Sequence, residues 1–501
     1  MRIRGPLADS YGAAAAMVVA ALVPYLGLSA AIQPLTPLLV KQLHTSQQTL
    51  NLTTGMANAA YAVGTVLAVQ LAQHLPQRRM LVLYASLFVI GSVLAAWAPD
   101  LGAFIAGHVL QGLCTSLMLI AAVPPLVIGW PVQKLRYTVV IMNMCIFGAV
   151  AAGPTVGGVQ AAAHGWRPLF WIIAAIGGVA LLLSLLTYED APPVDRSAPW
   201  DILAVGLAAS GCVAAFYGAS ELATHAFLDA ATFGPLLGGL GLIVLLVIHQ
   251  YTGRRPLLTV RRLASTLPVA GILLAICSAA TSVSAIELVG ALLQHKQQPL
   301  HTGLLFLPEF GGAALSAALF GLVYRTRLVH LLAVSGMVFL AGGIAVVLGV
   351  LPPTDVLTLV GSGLIGIGVG SSVAPALFIA GWSLASREVQ RVFALVELLR
   401  AVAAFMIAPI LMHLAQTVAA SPQAGSRVAL WICFGLATGG GALAVYLYVL
   451  GRVRPRAPDL EGWLEGERGA WPSPPLLDGI RGDTTDELLR GYARPRATRT
   501  G

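Results

Sequence analysis

The sequence predicts an all-α polytopic membrane protein with fourteen spanning helices arranged as six, two and six. Three observations carry that reading. Of 501 residues, 57% are hydrophobic and only 10% charged, with a mean hydropathy of +0.83; a water-soluble chain of this length needs far more polar surface. The apolar residues gather into stretches of about 20 or more, the length a helix needs to cross a hydrocarbon core roughly 30 Å thick. The basic residues between the stretches fall on alternate sides.

The first six apolar stretches run over residues 13–40, 53–74, 80–98, 102–130, 137–163 and 168–187. The Pro-rich polar segment EDAPPVDRSAPWD, residues 189–201, reads as a linker. Two more stretches follow at 202–220 and 231–251, then six at 267–293, 303–324, 328–351, 355–380, 392–418 and 428–451. The expected organisation is a cytoplasmic N-terminus (1–12), a six-helix bundle (13–187), a cytoplasmic linker (188–201), two additional helices (202–251), a cytoplasmic loop (252–266) and a second six-helix bundle (267–451). The tail, 452–501, mixes Pro, Gly, Arg and acidic residues and is expected to be disordered or loosely attached.

Placing the N-terminus in the cytoplasm puts eighteen Lys or Arg inside: Arg2, Arg4, Arg78, Arg79, Lys134, Arg136; Arg196, Arg254, Arg255, Arg261, Arg262; Arg325, Arg327, Arg387, Arg391, Arg452, Arg454 and Arg456. Only Lys41, Arg167, Lys296 and Arg427 fall outside. A missed or surplus helix would scramble this bias beyond the error, so the count and the orientation support each other. Three lysines against twenty-six arginines, with abundant Ala, Gly and Pro, point to a high-GC bacterial genome and hence to the bacterial inner (plasma) membrane.

Composition also excludes. Cys114, Cys145, Cys212, Cys277 and Cys433 all lie in apolar stretches without metal-ligand spacing, so they read as small packing residues rather than a disulfide or metal framework. There is no basic run of the kind that binds nucleic acid, no Gly-Lys-Ser/Thr phosphate loop and no nucleophile elbow. The chain is expected to use no cofactor, to be no enzyme and to act as a monomer. Composition makes the lipid bilayer its expected partner.

The fifth stretch carries an unusual load of helix-weakening residues: in FGAVAAGPTVGGVQAAAHGWRPLFWI, residues 147–172, stand Gly148, Gly153, Pro154, Gly157 and Gly158. Helices in lipid associate through close packing, so small residues mark an interface. Gly153 and Gly157, four apart, share a face, with Gly148 near it, and are expected to meet a helix of the opposite half. Pro154 is expected to kink the helix. From these residues alone, an ordinary small-residue packing face and a pivot between moving halves are equally open.

The segment GAVAAGPTVGG resembles the antiporter motif of the fourteen-helix drug:proton antiporters of the major facilitator superfamily, and HGWRPLFWI resembles the Trp-Arg…Phe signature that opens their sixth helix. APWDILAVG at the start of the additional pair, with Asp201, and LLQHKQQPLHTGLLFLP at 292–308 are also similar to that family. The resemblance covers roughly 13–451 and implies the major facilitator fold, with two six-helix halves alternating access to a central site, and proton-coupled drug efflux.

The sequence departs from the family pattern in three places. The loop between the second and third helices has Gln73 and Pro76 where the family has Asp and Gly, although Arg78 and Arg79 persist as gate candidates. In the fourth helix His108 stands at the family's Arg position, before Gln111 and Gly112. The first helix lacks the family's acidic residue and offers Ser29, Gln33 and Thr36 instead.

Ionisable groups within a membrane are costly and each asks for a reason. Glu309, His108 and Glu287 are the candidates for proton coupling, Glu309 before the others; a hydrogen-bonded packing role for His108 and a solvated role for Glu287 remain open. Glu397 and Arg400, three apart on one helical face, form either a structural ion pair or a pair that opens with the inner gate. Gln33, Asn58, Gln111 and Asn143 are candidates for the substrate cavity or for helix–helix hydrogen bonds. The expected function is a secondary active transporter exporting small lipophilic or amphipathic compounds by alternating access, coupled to protons. The alternatives are an uncoupled or differently coupled exporter or facilitator of an endogenous metabolite and, more remotely, a membrane sensor with a transporter fold.

Overall fold

The computed structural model describes residues 5–189, 193, 197–294, 297–419, 421–466 and 468–476. Arg2, Arg4, Arg196, Lys296, parts of the linker and the last stretch of the tail, 477–501, lie outside the described residues.

Fourteen helices are long and apolar enough to cross a membrane. In chain order they are α1 (Tyr11–Gln42), α2 (Gln47–His74), α3 (Gln77–Trp97), α4 (Leu101–Ile128), α5 (Val132–Ala162), α6 (Arg167–Thr187), α7 (Ile202–Glu221) and α8 (Ala230–Thr252). The second set is α9 (Thr266–Leu293), α10 (Pro299–Val323), α11 (Leu328–Gly349), α12 (Asp355–Trp382), α13 (Ser386–Thr417) and α14 (Pro422–Leu450). Each coincides with one apolar stretch of the sequence, but several start earlier than hydropathy suggests. Ser46 and Ser421 accept hydrogen bonds from the backbone N–H of Thr49 and Ala424, which caps polar first turns that an apolar window does not see.

α1–α6 form one bundle, in which α1 packs on α5 and α6, α2 on α4, and α3 on α4 and α6. α9–α14 form the other, centred on α9 and α12. The two meet along α2 against α13 and along α5 against α10. The additional helices α7 and α8 pair with each other and lie over the first of these seams: α7 packs on α2, and His413 of α13 reaches the Leu222 carbonyl just beyond α7 at 2.7 Å.

Two helices are irregular. In α5 a π-helical turn, Met144–Gly148, separates the regular segments Leu135–Asn143 and Ala149–Ala162. The break in regular hydrogen bonding thus comes before Pro154, which lies within the second segment. α10 is interrupted at Phe306, just before Pro308, and restarts with Glu309 in its first turn.

The glycine face of α5 differs from the sequence expectation. A Cβ on Gly153 would lie 2.5 Å from Ala30 Cβ and 2.7 Å from the Gly27 carbonyl, and one on Gly157 would strike the Ala31 carbonyl. Both therefore pack on α1 of their own half. It is Gly158, one residue on and about 100° round the helix, that faces the other half: its Cβ would lie 2.5 Å from the Pro299 carbonyl and 3.2 Å from Gly303 Cα in α10. A Cβ on Gly148 would meet first the Met144 side chain of its own helix, 2.6 Å away.

The described part of the tail is packed, not loose. A short helix, α15 (Leu460–Leu464), lies against Val132–Lys134 at the start of α5. Trp463, fully buried, donates its indole N–H to the Leu384 carbonyl at 2.8 Å; Trp471 donates to Ser383 Oγ at 3.0 Å and stacks near His330. The Thr266 N–H reaches the Pro474 carbonyl at 2.9 Å. One strap therefore ties together the arginine-rich ends of α9, α11 and α12. Two tryptophans can bury enough apolar area to hold a segment whose average composition reads as disordered.

Candidate functional site

A cavity lies between the two bundles, with walls from α1, α2 and α5 on one side and α9, α10, α12 and α13 on the other. Leu26, Phe147, Val150, Ile286, Val369 and Phe405 make much of it apolar. The π-helical turn of α5 supplies Phe147, whose ring lies 5.9 Å from the Arg400 guanidinium. Such single turns recur at functional sites because they rotate one residue out of the regular register.

Glu309, Glu287 and Arg400 are the ionisable groups of the wall. Because α10 begins at Pro299, Glu309 lies ten residues in, about 15 Å along the helix, deeper than its place at the start of an apolar stretch suggests. Glu309 is 5% exposed, and its Oε2 has no hydrogen-bond partner among the described residues. It stands on the first turn of a restarted helix, where peptide dipoles favour negative charge, a recurring device of discontinuous transporter helices. Glu287 lines the cavity from α9, and its backbone carbonyl accepts from Gln33 Nε2 at 3.3 Å across the two halves.

Arg400 is held by Glu397: Nε donates to Oε2 at 2.9 Å and the terminal nitrogen donates to Oε1. α13 begins at Ser386, so the pair sits about three turns inside the helix, deeper than the start of the apolar stretch at 392 suggests. Glu397 accepts a third bond, 2.6 Å, from Tyr61 Oη of α2 in the opposite half. Tyr61 stacks on Tyr25, ring centres 6.0 Å apart, and Tyr25 Oη donates to Asn58 Oδ1 at 3.3 Å. A buried polar chain thus runs from the cavity wall at Asn58, through two tyrosines, to the ion pair and back to the cavity at Arg400. Each unpaired member would be costly in this surrounding, which explains why they are found together.

The structure sorts the sequence candidates. Gln33, Asn58, Glu287, Glu309 and Arg400 line the cavity, and Glu397 lies directly behind Arg400. His108 and Gln111 are not in its wall. They bond each other at 3.2 Å, Gln111 donates to Ser92 of α3, and the His108 ring packs among Phe104, Phe170 and Tyr25. Asn143 bridges the halves by donating to the Gly370 carbonyl at 2.9 Å and also lies outside the cavity wall. Arg78 closes the end of α6 through two bonds to the Leu185 carbonyl, 3.0 and 3.3 Å, while Arg79 follows it in the first turn of α3. Sequence reasoning missed Tyr61 and Tyr25. The available signal was a pair of tyrosines inside otherwise aliphatic spans, since a buried phenol asks for a partner.

The sequence profile of the Major Facilitator Superfamily matches residues 14–274. The chain is similar to the uncharacterized MFS-type transporter YubD of Bacillus subtilis (strain 168), 27% identical over 245 residues that make up 47% of each chain. It is 24% identical over 289 residues to the tetracenomycin C resistance and export protein of Streptomyces glaucescens, covering 57% of this chain and 54% of that one. It is 23% identical over 351 residues to the drug efflux pump JefA of Mycobacterium tuberculosis (strain ATCC 25618 / H37Rv), 68% of each chain. The chain spans about half the length of the first two relatives. The crystal structure of the human organic anion transporter MFSD10 (TETRAN) aligns with a TM-score of 0.59 over 87% of this chain and 99% of that one. At 13% identity this likeness shows the fold alone.

Proposed function

Since the chain belongs to the Major Facilitator Superfamily, we propose that this transporter exports small lipophilic or amphipathic compounds, cationic ones included, and couples their movement to protons through Glu309. The carrying observation is the mostly apolar cavity between the halves with the unpartnered Glu309 oxygen at its wall. An apolar cavity with few polar groups suits varied amphipathic molecules. A carboxyl group there takes a proton or faces a cation in turn, which is the competition that antiport requires. The names of two relatives, an export protein and a drug efflux pump, support the direction of transport. The arginine-rich face is taken as cytoplasmic, with both termini on it, in a bacterial plasma membrane.

The test is proton movement in proteoliposomes holding the purified protein and a panel of lipophilic cations and neutral drugs, repeated with Glu309→Gln. Substrate-evoked proton flux that is lost in the variant supports the reading. Substrate flux without proton movement, equal in both proteins, overturns it. That outcome would favour the second reading, an uncoupled or differently coupled exporter of an endogenous metabolite. The specific observation behind this alternative is that α1 brings Ser29 and Gln33, not an acid, to the cavity.

A further inference from the structure

A second cavity opens on the arginine-rich face. It is walled by the end of α2, linker residues 197–201, the end of α8, the loop after it and the start of α13. Five arginines face it: Arg254, Arg255, Arg261, Arg262 and Arg391. Glu388 answers two of them, directly for Arg262 and at 3.8 Å for Arg391. Among the described residues, no carboxylate lies within ion-pair distance of Arg254, Arg255 or Arg261.

The walls are built rather than loosely folded. Asp201 caps α7 through the Ala204 N–H at 3.0 Å and accepts from Gln250 Nε2 at 2.8 Å, with His249 Nε2 at 3.1 Å. Burial raises the Asp201 pKa, but hydrogen bonds from Gln250, Ala204 and His249 outweigh it and hold this carboxyl below the usual carboxylate range. The Asp201 N–H donates to Gln70 Oε1 of α2, and Gln250 Oε1 accepts from the Leu258 N–H, which anchors the loop that carries Arg254 and Arg255. His74 stacks on Trp200, ring centres 4.3 Å apart, and bonds the Ala198 carbonyl. The one acidic group of the lining is thus occupied, and a frame of hydrogen bonds supports the loop whose arginines face open space.

The chemistry that fits is a phosphate group, because a guanidinium fork pairs with two of its oxygens and several forks share its charge. The surroundings indicate its source. Trp200 and Tyr251, 54% and 48% exposed, flank the ends of α7 and α8, the kind of position aromatic side chains favour at a membrane interface, and Ile202, Leu203 and Ile248 present exposed apolar surface from the adjoining helix ends. We propose that this cavity binds the phosphate of an anionic phospholipid headgroup, whose acyl chains lie along α7 and α8. Basic pockets between helices on the cytoplasmic side are suited to such headgroups. Gln70 and Gln73 belong to the first half and Arg391 to the second, so a bound headgroup bridges the two bundles on this face.

The experiment titrates full-length protein in neutral detergent with phosphatidylglycerol, phosphatidylcholine and inorganic phosphate, and reads bound species by native mass spectrometry. Wild type is expected to hold phosphatidylglycerol selectively. The triple variant Arg254→Gln, Arg255→Gln, Arg261→Gln should weaken it roughly a hundredfold, on the scale of one surface-lipid contact per arginine. A control pair outside the cavity, Arg454→Gln with Arg456→Gln, should leave binding unchanged. Inorganic phosphate that competes at equal affinity would assign the phosphate chemistry to a soluble ligand and overturn the lipid source. Equal phosphatidylglycerol binding by the triple variant and wild type overturns the site itself. If the triple variant does not survive purification, Arg254→Gln with Arg255→Gln, both on the exposed loop, carries the same comparison.

Discussion

The two seams between the halves are built on opposite principles. Along α5 and α10, Gly158 and Gly303 bring backbone against backbone, with Thr155 Oγ1 donating to the Gly303 carbonyl at 2.8 Å. Along α2 and α13, contact depends on long polar side chains: Tyr61, Glu397 and Arg400. The first seam is steric and tolerates no added atom. The second is held by a hydrogen bond that can be broken and remade without moving a backbone, and the additional pair α7–α8 covers it. A transporter that must separate its halves at one end while keeping them joined at the other has use for one contact of each kind.

That contrast can be broken in order of expected effect. Glu397→Leu removes the partner of a buried guanidinium and is expected to destabilise by about 3–5 kcal/mol. Adding Arg400→Met should recover much of that loss, read as thermal unfolding of the purified protein. Equal losses in the single and double variants would show that the bared guanidinium carries no penalty, and would sink this account. Gly158→Val should spread the α5–α10 seam at a cost of roughly 1–3 kcal/mol. Cysteine cross-linking between the Ala162 end of α5 and the Pro299 end of α10 should slow in parallel, and an unchanged rate would remove the steric account. Tyr61→Phe keeps the ring and loses one bond, so the expected cost is only about 1 kcal/mol. Its informative readout is the rate of opening at the α2–α13 seam, followed by a distance label across it; no change there would leave Tyr61 as packing.

What was legible in the sequence follows from which forces are local. The fourteen spans were readable because lipid demands an unbroken apolar length, a property of consecutive residues. Helix starts at Gln47, Pro299, Ser386 and Pro422 were not, because polar first turns, side-chain capped at Gln47 and Pro422 but not at Pro299 or Ser386, extend the helix beyond the apolar window. For the same reason the apolar windows place Glu309 and Glu397 nearer the helix ends than the helices do. The glycines of α5 declared an interface, but which neighbour each one meets depends on the rotation of the helix within the bundle. Gly153 and Gly157 therefore went to α1 and only Gly158 to α10. Tyr61 and Glu397 are 336 positions apart, and nothing in either neighbourhood names the other.

The strap made by residues 459–476 also bears on how motion in this molecule can be watched. It fastens the ends of α9, α11 and α12 into one rigid piece on the arginine-rich face, while α15 rests on Val132–Lys134 of the other half. Any rotation that parts the halves on that face must slide α15 off this rest, while Trp463 stays with Trp382 and Leu384 of its own half. The strap is therefore a lever arm fixed to one half and touching the other, and a pair of labels on α15 and on the start of α5 reads the gap between the halves at the point where they first part.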